Sequence, residues 1–382
     1  MRFKTSCEWK KYKLKELSKI FDGTHQTPDY KDHGISFVSV EDIDDLYSTS
    51  KFITKDAFTR DFKIYPQKND ILMTRIGDIG TPALVTKEQP LAYYVSLALI
   101  KPTNNLNSTF AKYMIESKSF QHELWKKTIH VAFPKKINKE EIGECLCFAP
   151  NINYQRKIGQ FLLLIDERIG TQNKIIEKYK SLIKPLFETL NSNTNINIAI
   201  KELGPYVSAD LLSWNDMNHV GEPAIIYGQL FTDYKYIIEK VISKTERKIK
   251  TKTKDNDLLF PSSTTVDSLS LIAPSSIKIP GVIIGGDMFK IELDKEKFDS
   301  DYISFLINCS LNKKIAKYAQ GSTIIHLHYE DIKLFQMKIC GIEKQKEISK
   351  QMKVLLEKIS VERSIMELLL KQKKYFLANL FI

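Results

Sequence analysis

Apolar residues recur along two stretches of the chain at alternating steps of four and three. Residues 153–169 read NYQRKIGQFLLLIDERI and residues 343–359 read EKQKEISKQMKVLLEKI. Laid on one another, Ile158, Leu162, Ile165 and Ile169 fall on Ile348, Met352, Leu355 and Ile359, 190 positions later. This spacing is the a/d seam of a coiled coil. Gln155 also meets Gln345, and Glu167 meets Glu357. The first seam continues through Gln172, Ile176, Tyr179, Ile183, Leu186 and Leu190, the second through Glu362, Met366, Leu369, Lys373, Phe376 and Leu380. Gln172 and Glu362 put a polar group at the same seam position, where it can fix register at some cost in stability. Lys373 departs from Ile183, and Pro185 is expected to kink or loosen the last turns of the first helix.

The repeat persists upstream. INKEEI at 137–142 corresponds to LHYEDI at 327–332, FAKYMIES at 110–117 to YISFLINC at 302–309, and KNDILMT at 68–74 to DNDLLFP at 255–261. Alternation and β-branched content predict strands at GISFVSV, DILMTRI, PALVT and YYVSLALI, and again at EPAIIYG, DLLFPSS and GVIIGGDMFKIEL. Helices are expected at STFAKYMIESKSFQHELWKKT and SDYISFLINCSLNKKIAKYA, each opened by a serine N-cap. NSNTNINIAI at 191–200 is polar and poor in charge and suits a linker. The expected fold is α+β: a mixed lobe at 1–150, a long helix at 151–192, a linker and second lobe at 193–340, and a second long helix at 341–382.

Composition narrows the function. The chain has 382 residues, enough for more than one core. With 57 Lys+Arg against 46 Asp+Glu it carries +11, which favours a polyanionic partner. Cys7, Cys145, Cys147, Cys309 and Cys340 form an odd set without CxxC, and the N-terminus lacks an apolar signal core. A reduced, cytoplasmic protein is expected. No apolar run approaches the ~20 residues of a membrane span.

Motifs of catalysis are not found. GxxxxGK[ST], a GxGxxG after a strand and [DN]PP[YF] are all missing. Asp294, Glu296 and Lys297 resemble fragments of a nuclease triad but lie in the charged stretch LDKEKFDSD, better read as a solvated turn. His326 and His328 share a face of an extended segment, yet no second ligand pair accompanies them. Cys145 and Cys147 are expected to fill a core. GDIG at 77–80 is similar to the GxxG loop of KH domains, but TPALVT continues like a strand, so a tight hairpin turn is expected. Trp9, Phe21, Trp125 and Phe133 are also assigned to the core. The chain is therefore read as a binder without a reaction centre or cofactor of its own.

These features together resemble the specificity subunits of type I restriction-modification systems along nearly the whole chain. WKKYKLKEL followed by FDGTHQTPDY, the DILMTRIGDIG block, and a lobe end passing through NYQRKIGQFLLLIDERI into a long helix carry the resemblance, and the plan recurs once. GEPAIIYGQLFTDY at 221–234 is similar to the start of many second target-recognition domains. The resemblance implies two target-recognition domains, each reading half of a split, asymmetric duplex DNA sequence, with two antiparallel helices between them. It further implies docking of two methyltransferase subunits, which carry S-adenosylmethionine and methylate adenine. A restriction subunit using ATP and Mg is a further implied partner. None of that chemistry would reside in this chain.

Physical reasoning adds detail. Apolar seams on two long helices are most simply buried against each other within one chain. A helix of 38 residues would span ~57 Å, against the ~34 Å between equivalent faces of successive DNA turns, so helix length is expected to act as a ruler. Base reading is expected in loops: Thr24, His25, Gln26, Thr27, Arg75, Lys135 and Lys136 in the first lobe, then Tyr227, Gln229, Thr232, Tyr234, Ser322, Thr323 and His326 in the second. Gln bridges adenine and Arg bridges guanine, while Lys mostly contacts phosphate. The run KTERKIKTKTK at 244–254, with Arg247 and Lys248, is either a phosphate-binding strip or a solvated hairpin. Two other readings stay open: a structural coiled-coil homodimer, and a self-contained DNA-modifying enzyme with an unrecognised site.

Overall fold

The computed structural model describes residues 8–192 and 194–381. Cys7 lies outside them. The chain forms two compact units, Met1–Asn173 with Ser364–Ile382, and Lys174–Arg363. Both boundaries fall inside the long helices Ile152–Leu190 and Ile342–Asn379. Each unit thus takes a mixed lobe, part of the first helix and part of the second. Among the described residues no helix is long and apolar enough to cross a membrane.

In the first unit the seam meets the C-terminal end of the chain. Ile158, Leu162 and Ile165 share one core with Phe110, Met114, Leu380 and Phe381. Phe161 meets the ring of Phe376 edge-on at 4.9 Å, and Asp166 pairs with Lys373 at 2.8 Å. Contacts that rise along one helix and fall along the other make the pair antiparallel. The departure at Lys373 also gains a reason: its ammonium is bound by Asp166 and, at 3.1 Å, by Glu116, joining the Lys112 ammonium that both carboxylates already hold. In the second unit Ile348, Met352, Leu355 and Ile359 share a core with Ile183 and Phe187.

The duplicated glutamine ties each lobe to its helix by the same bonds. The Gln155 amide donates to the carbonyls of Pro150 at 2.9 Å and Asn105 at 3.0 Å, and its oxygen accepts from the Asn107 backbone N–H at 2.8 Å. Gln345 donates to the carbonyls of Cys340 at 2.8 Å and Lys297 at 3.3 Å, and accepts from the Asp299 N–H at 3.0 Å. Both side chains are buried, so every polar atom they satisfy would otherwise be stranded.

Strand alternation explains how one sheet serves two cores. In the first unit the order is Ser18–Asp22, Leu97–Pro102, Ile71–Ile76, Asp78–Leu84, all antiparallel. Ile71, Met73, Ala98 and Ile100 face the core shared with the helices. Leu72, Leu97 and Leu99 face an outer core with Phe37, Val38 and Tyr93. This is the period of two expected of a strand buried on both faces. The second unit repeats the device, with Leu258, Phe260, Phe289 and Ile291 on the helix side and Leu259 and Met288 on the other.

Several expectations need correction. The supposed linker contains a strand, Ile196–Ala199, paired antiparallel with Gln336–Ile339, just as Lys10–Lys13 pairs with Leu146–Ala149 in the first unit. Its low charge reflects a backbone occupied by a partner strand and the burial of Ala199 and Ile200. The expected serine caps are displaced by one residue. Asn107 is the N-cap of Ser108–Glu116, its side chain accepting from the Phe110 N–H at 3.0 Å, and Asp299 occupies that position before Ser300–Leu306. The first of these helices stops at Ser117, whose extended backbone ends it and whose hydroxyl caps Lys118–Lys127. Helix Ile152–Leu190 continues through Pro185, which is exposed together with Ser181, so water can satisfy the carbonyl that proline leaves free. Cys145, Cys147, Cys309 and Cys340 are free and buried, and burial pushes the Cys145 and Cys147 thiols up to about 12.

Replacing Gln345 or Gln155 by alanine should cost about 1–3 kcal/mol of folding stability each, measured by urea unfolding; a change within a few tenths would show that water replaces these ties. Burial opposes ionisation of Asp166, but the Lys373 and Lys112 ammoniums outweigh it and hold the carboxyl below its ordinary value. Its stabilisation is full above the unfolded carboxylate value near ~4 and is lost as pH falls through the lower folded value. Asp166→Asn should therefore make the acid limb of the stability curve shallower, as read by unfolding titrations at successive pH values.

Candidate nucleic-acid interface

In the first lobe, two loops are fixed at one end of the sheet by Arg75. Strand alternation places Arg75 on the same face as Ile71 and Met73, and the side chain is buried. Its guanidinium donates to the Asp22 carboxylate and, at 3.1 Å, to the Ile137 carbonyl. Its own carbonyl accepts from the Ile137 N–H at 3.0 Å, and Lys139 approaches Asp22 at 3.5 Å. Arg75 was expected to read guanine; it is spent on internal partners and positions the loops on either side.

One of those loops follows Asp22. Gly23 lies so close to Tyr94 that an added Cβ would sit 2.5 Å from its backbone, so only glycine lets the chain pass. The Thr24 hydroxyl then accepts from the Gln26 N–H at 3.2 Å, and His25, Gln26 and Thr27 are exposed. The other loop precedes Ile137. The Ile129 N–H donates to the Lys136 carbonyl and the Gly77 N–H to the Lys135 carbonyl, both at 2.8 Å. Lys135 and Lys136 are exposed, and neither forms a salt bridge among the described residues. Gly77, at φ +82°, makes the hairpin turn joining Ile71–Ile76 to Asp78–Leu84.

Two aromatics assigned to the core are exposed instead. Trp125 is 62% exposed and Phe133 104%, beside Val131 at 96%. Trp9 and Phe21 do pack against the cores. The stretch holding Val131 and Phe133 has neither strand nor helix periodicity, so no stripe carries these side chains inward.

In the second lobe the predicted residues divide. Tyr227 and Thr232 line a concavity of about 780 Å³ together with Asp287, Asn308 and Ile324. Gln229 does not: it is buried, accepts from the Ile226 N–H at 3.2 Å and donates to Asp233 at 3.0 Å and Ser243 at 2.8 Å. Tyr234 is buried too, its hydroxyl accepting from the Ile242 N–H at 3.2 Å, and burial raises its pKa. Both are internal ties and not base readers, because their polar atoms are already committed. Ser322 and Thr323 are exposed in a turn closed by paired backbone bonds between Gln320 and His326, at 2.9 and 2.7 Å. That turn corresponds to 129–136 of the first lobe, yet carries different side chains. His326 is half-buried and stacks on His328, with ring centroids 5.9 Å apart. Among the described residues no group of three or more His, Cys, Asp or Glu is placed to hold a metal.

The basic strip is partly neutralised. Arg247 pairs with Asp216 at 3.2 Å, Lys252 with Glu222, and Lys254 with Glu292 at 2.6 Å. Lys248 and Lys250 are exposed and have no salt bridge among the described residues.

Each of the two α+β lobes packs on portions of two long helices and presents short polar loops. Residues 7–180 match the family described as type I restriction modification DNA specificity domain. A putative type I restriction enzyme specificity subunit of Methanocaldococcus jannaschii is 22% identical over 403 residues, spanning 96% of this chain and 91% of the relative. Two solved chains share the fold. The type I S subunit of M. genitalium gives a TM-score of 0.61 at 14% identity over 100% of this chain and 98% of its own. A chain from a study of complex assembly and conformational transition in the type I system gives 0.60 at 11% identity over 97% and 96%. The chain is thus similar to type I restriction-modification specificity subunits over residues 7–180 and shares its fold with the two solved chains.

Arg75→Met removes a partly buried ion pair and the donor to the Ile137 carbonyl and should cost about 1–3 kcal/mol of stability, whereas His25→Ala and Gln26→Ala, both exposed, should stay within about 0.5 kcal/mol. Urea unfolding of the three variants distinguishes a positioning arginine from a surface one.

Proposed function

We propose that this chain reads a bipartite, asymmetric duplex DNA sequence, one half per lobe, on behalf of methyltransferase subunits that dock on its long helices. The observation that carries the reading is the pair of corresponding turns, each pinned by backbone bonds. One carries Lys135 and Lys136, the other Ser322, Thr323 and His326. Equivalent frames with different side chains suit two unlike half-sites. In this reading the lobes occupy 1–150 and 193–340, and the helices 151–192 and 341–382. Leu164, Leu182, Val354, Val361 and Leu368, exposed on the helices, are apolar enough to meet two modification subunits, which supply S-adenosylmethionine for adenine methylation. A restriction subunit bringing ATP and Mg completes the system, which works in the cytoplasm. This chain holds no cofactor and performs no chemical step.

Mapping methylated adenines in cells with and without the chain tests the proposal: a split motif present in the first and lost from the second is expected, and an unchanged map would refute it. Lys135→Ala with Lys136→Ala should lower the slope of log affinity against log salt by about 1–2 on duplex DNA, read by fluorescence anisotropy at several salt concentrations.

A further inference from the structure

We infer that the hairpin at 129–136 is an apolar wedge, with Phe133 entering a base step of the duplex half-site read by the first lobe. The inference rests on the DNA-reading role proposed above and adds how one lobe deforms its target. Val131 and Phe133 are almost wholly exposed, and Trp125 is mostly so. The hairpin holding them is not loose. The Lys136 carbonyl accepts from Ile129, the Lys135 carbonyl from Gly77, and Ile137, fully buried, donates to Arg75. The His130 ring contacts the Trp125 carbonyl at 2.8 Å, fastening the hairpin to the end of the helix Lys118–Lys127. The apolar side chains are therefore held out in water by a frame that is bonded on both sides.

Charge identifies what they meet. Lys135 and Lys136 follow Phe133 in the same hairpin and are exposed, while nearby Glu123 and Glu141 are already paired with Lys126 at 2.8 Å and Lys127 at 3.0 Å. The charge beside the apolar tip is that of two exposed lysines, which suits the phosphates next to a base step. Proteins that kink DNA use this combination, an apolar side chain that unstacks one step and cations that hold the flanking backbone. An aromatic ring also offers a base a stacking face without regard to its identity. The corresponding turn of the second lobe carries Ser322, Thr323, Ile324 and His326, with no aromatic residue at its tip. Unstacking is thus assigned to one half-site only.

The test uses the full chain and a duplex that it selects from a random-sequence pool, synthesised with 2-aminopurine at each successive position. The wild-type chain should raise 2-aminopurine fluorescence at one step, in one half-site. Phe133→Ala, a change at a fully exposed position, should abolish that rise and weaken binding about tenfold with little change in salt slope. Phe133→Trp should keep both properties. Lys135→Ala with Lys136→Ala should lower the salt slope yet retain the rise at saturation. A selected duplex showing no unstacked step, or Phe133→Ala behaving as wild type, would overturn the wedge while leaving DNA reading intact. Loss of methyltransferase-subunit binding by Phe133→Ala with unchanged DNA binding would assign the tip to a protein partner and equally overturn it. Failure of the wild-type chain to select any duplex would remove the DNA-reading role together with the wedge.

Discussion

An apolar stripe on a helix of nearly forty residues cannot stay in water, and the architecture follows from how each part of that stripe is covered. Ile158, Leu162 and Ile165 are buried by Phe110, Met114 and the C-terminal Leu380 and Phe381. Ile348, Met352, Leu355 and Ile359 are buried with Ile183, Phe187 and the sheet residues Leu258 and Phe260. Lobe core and helix seam are one hydrophobic body in each unit. A lobe packed this way cannot swivel on its helices without exposing the seam, so its loops are aimed by the same contacts that stabilise it.

The tie between lobe and helix was legible in the sequence as Gln155 opposite Gln345, although its purpose was not. Duplication preserved the bonds that join lobe to helix and let the loop side chains diverge. The hydrophobic spacing located both long helices to within a residue of Ile152 and Ile342, because a seam sustained over several heptads has no other explanation. The strands around DILMTRI and GVIIGGDMFKIEL were legible from alternation. The strand at Ile196–Ala199 was not, since an edge pairing needs backbone only and leaves little trace in side-chain pattern.

The misplaced site residues share one cause. Arg75, Gln229 and Tyr234 are polar side chains whose partners, Asp22, Ser243 and Ile242 among them, come from elsewhere in the chain. Polarity in a sequence does not say whether a group is satisfied internally or waits for a ligand. Arg75 carried a usable signal: by alternation within ILMTRI it shares a face with Ile71 and Met73. Phe133 and Trp125 erred in the opposite sense. Phe133 lies outside any periodic stripe, and an apolar residue off a stripe has no element to carry it inward. Chemistry alone misassigned all five, while position within the local pattern speaks for at least these two.

Net charge requires the same discrimination. The +11 of the chain does not say which cations phosphate could use: Arg247, Lys252 and Lys254 are already paired with Asp216, Glu222 and Glu292, and Lys126 and Lys127 with Glu123 and Glu141. Lys135, Lys136, Lys248 and Lys250 stand exposed outside any such pair. In the proposed function such cations supply salt-sensitive attachment and leave discrimination to loop side chains held in fixed positions. Anchoring by Arg75 matters in that setting, because the ordering of loops 24–27 and 129–136 is completed during folding and need not be met again on binding.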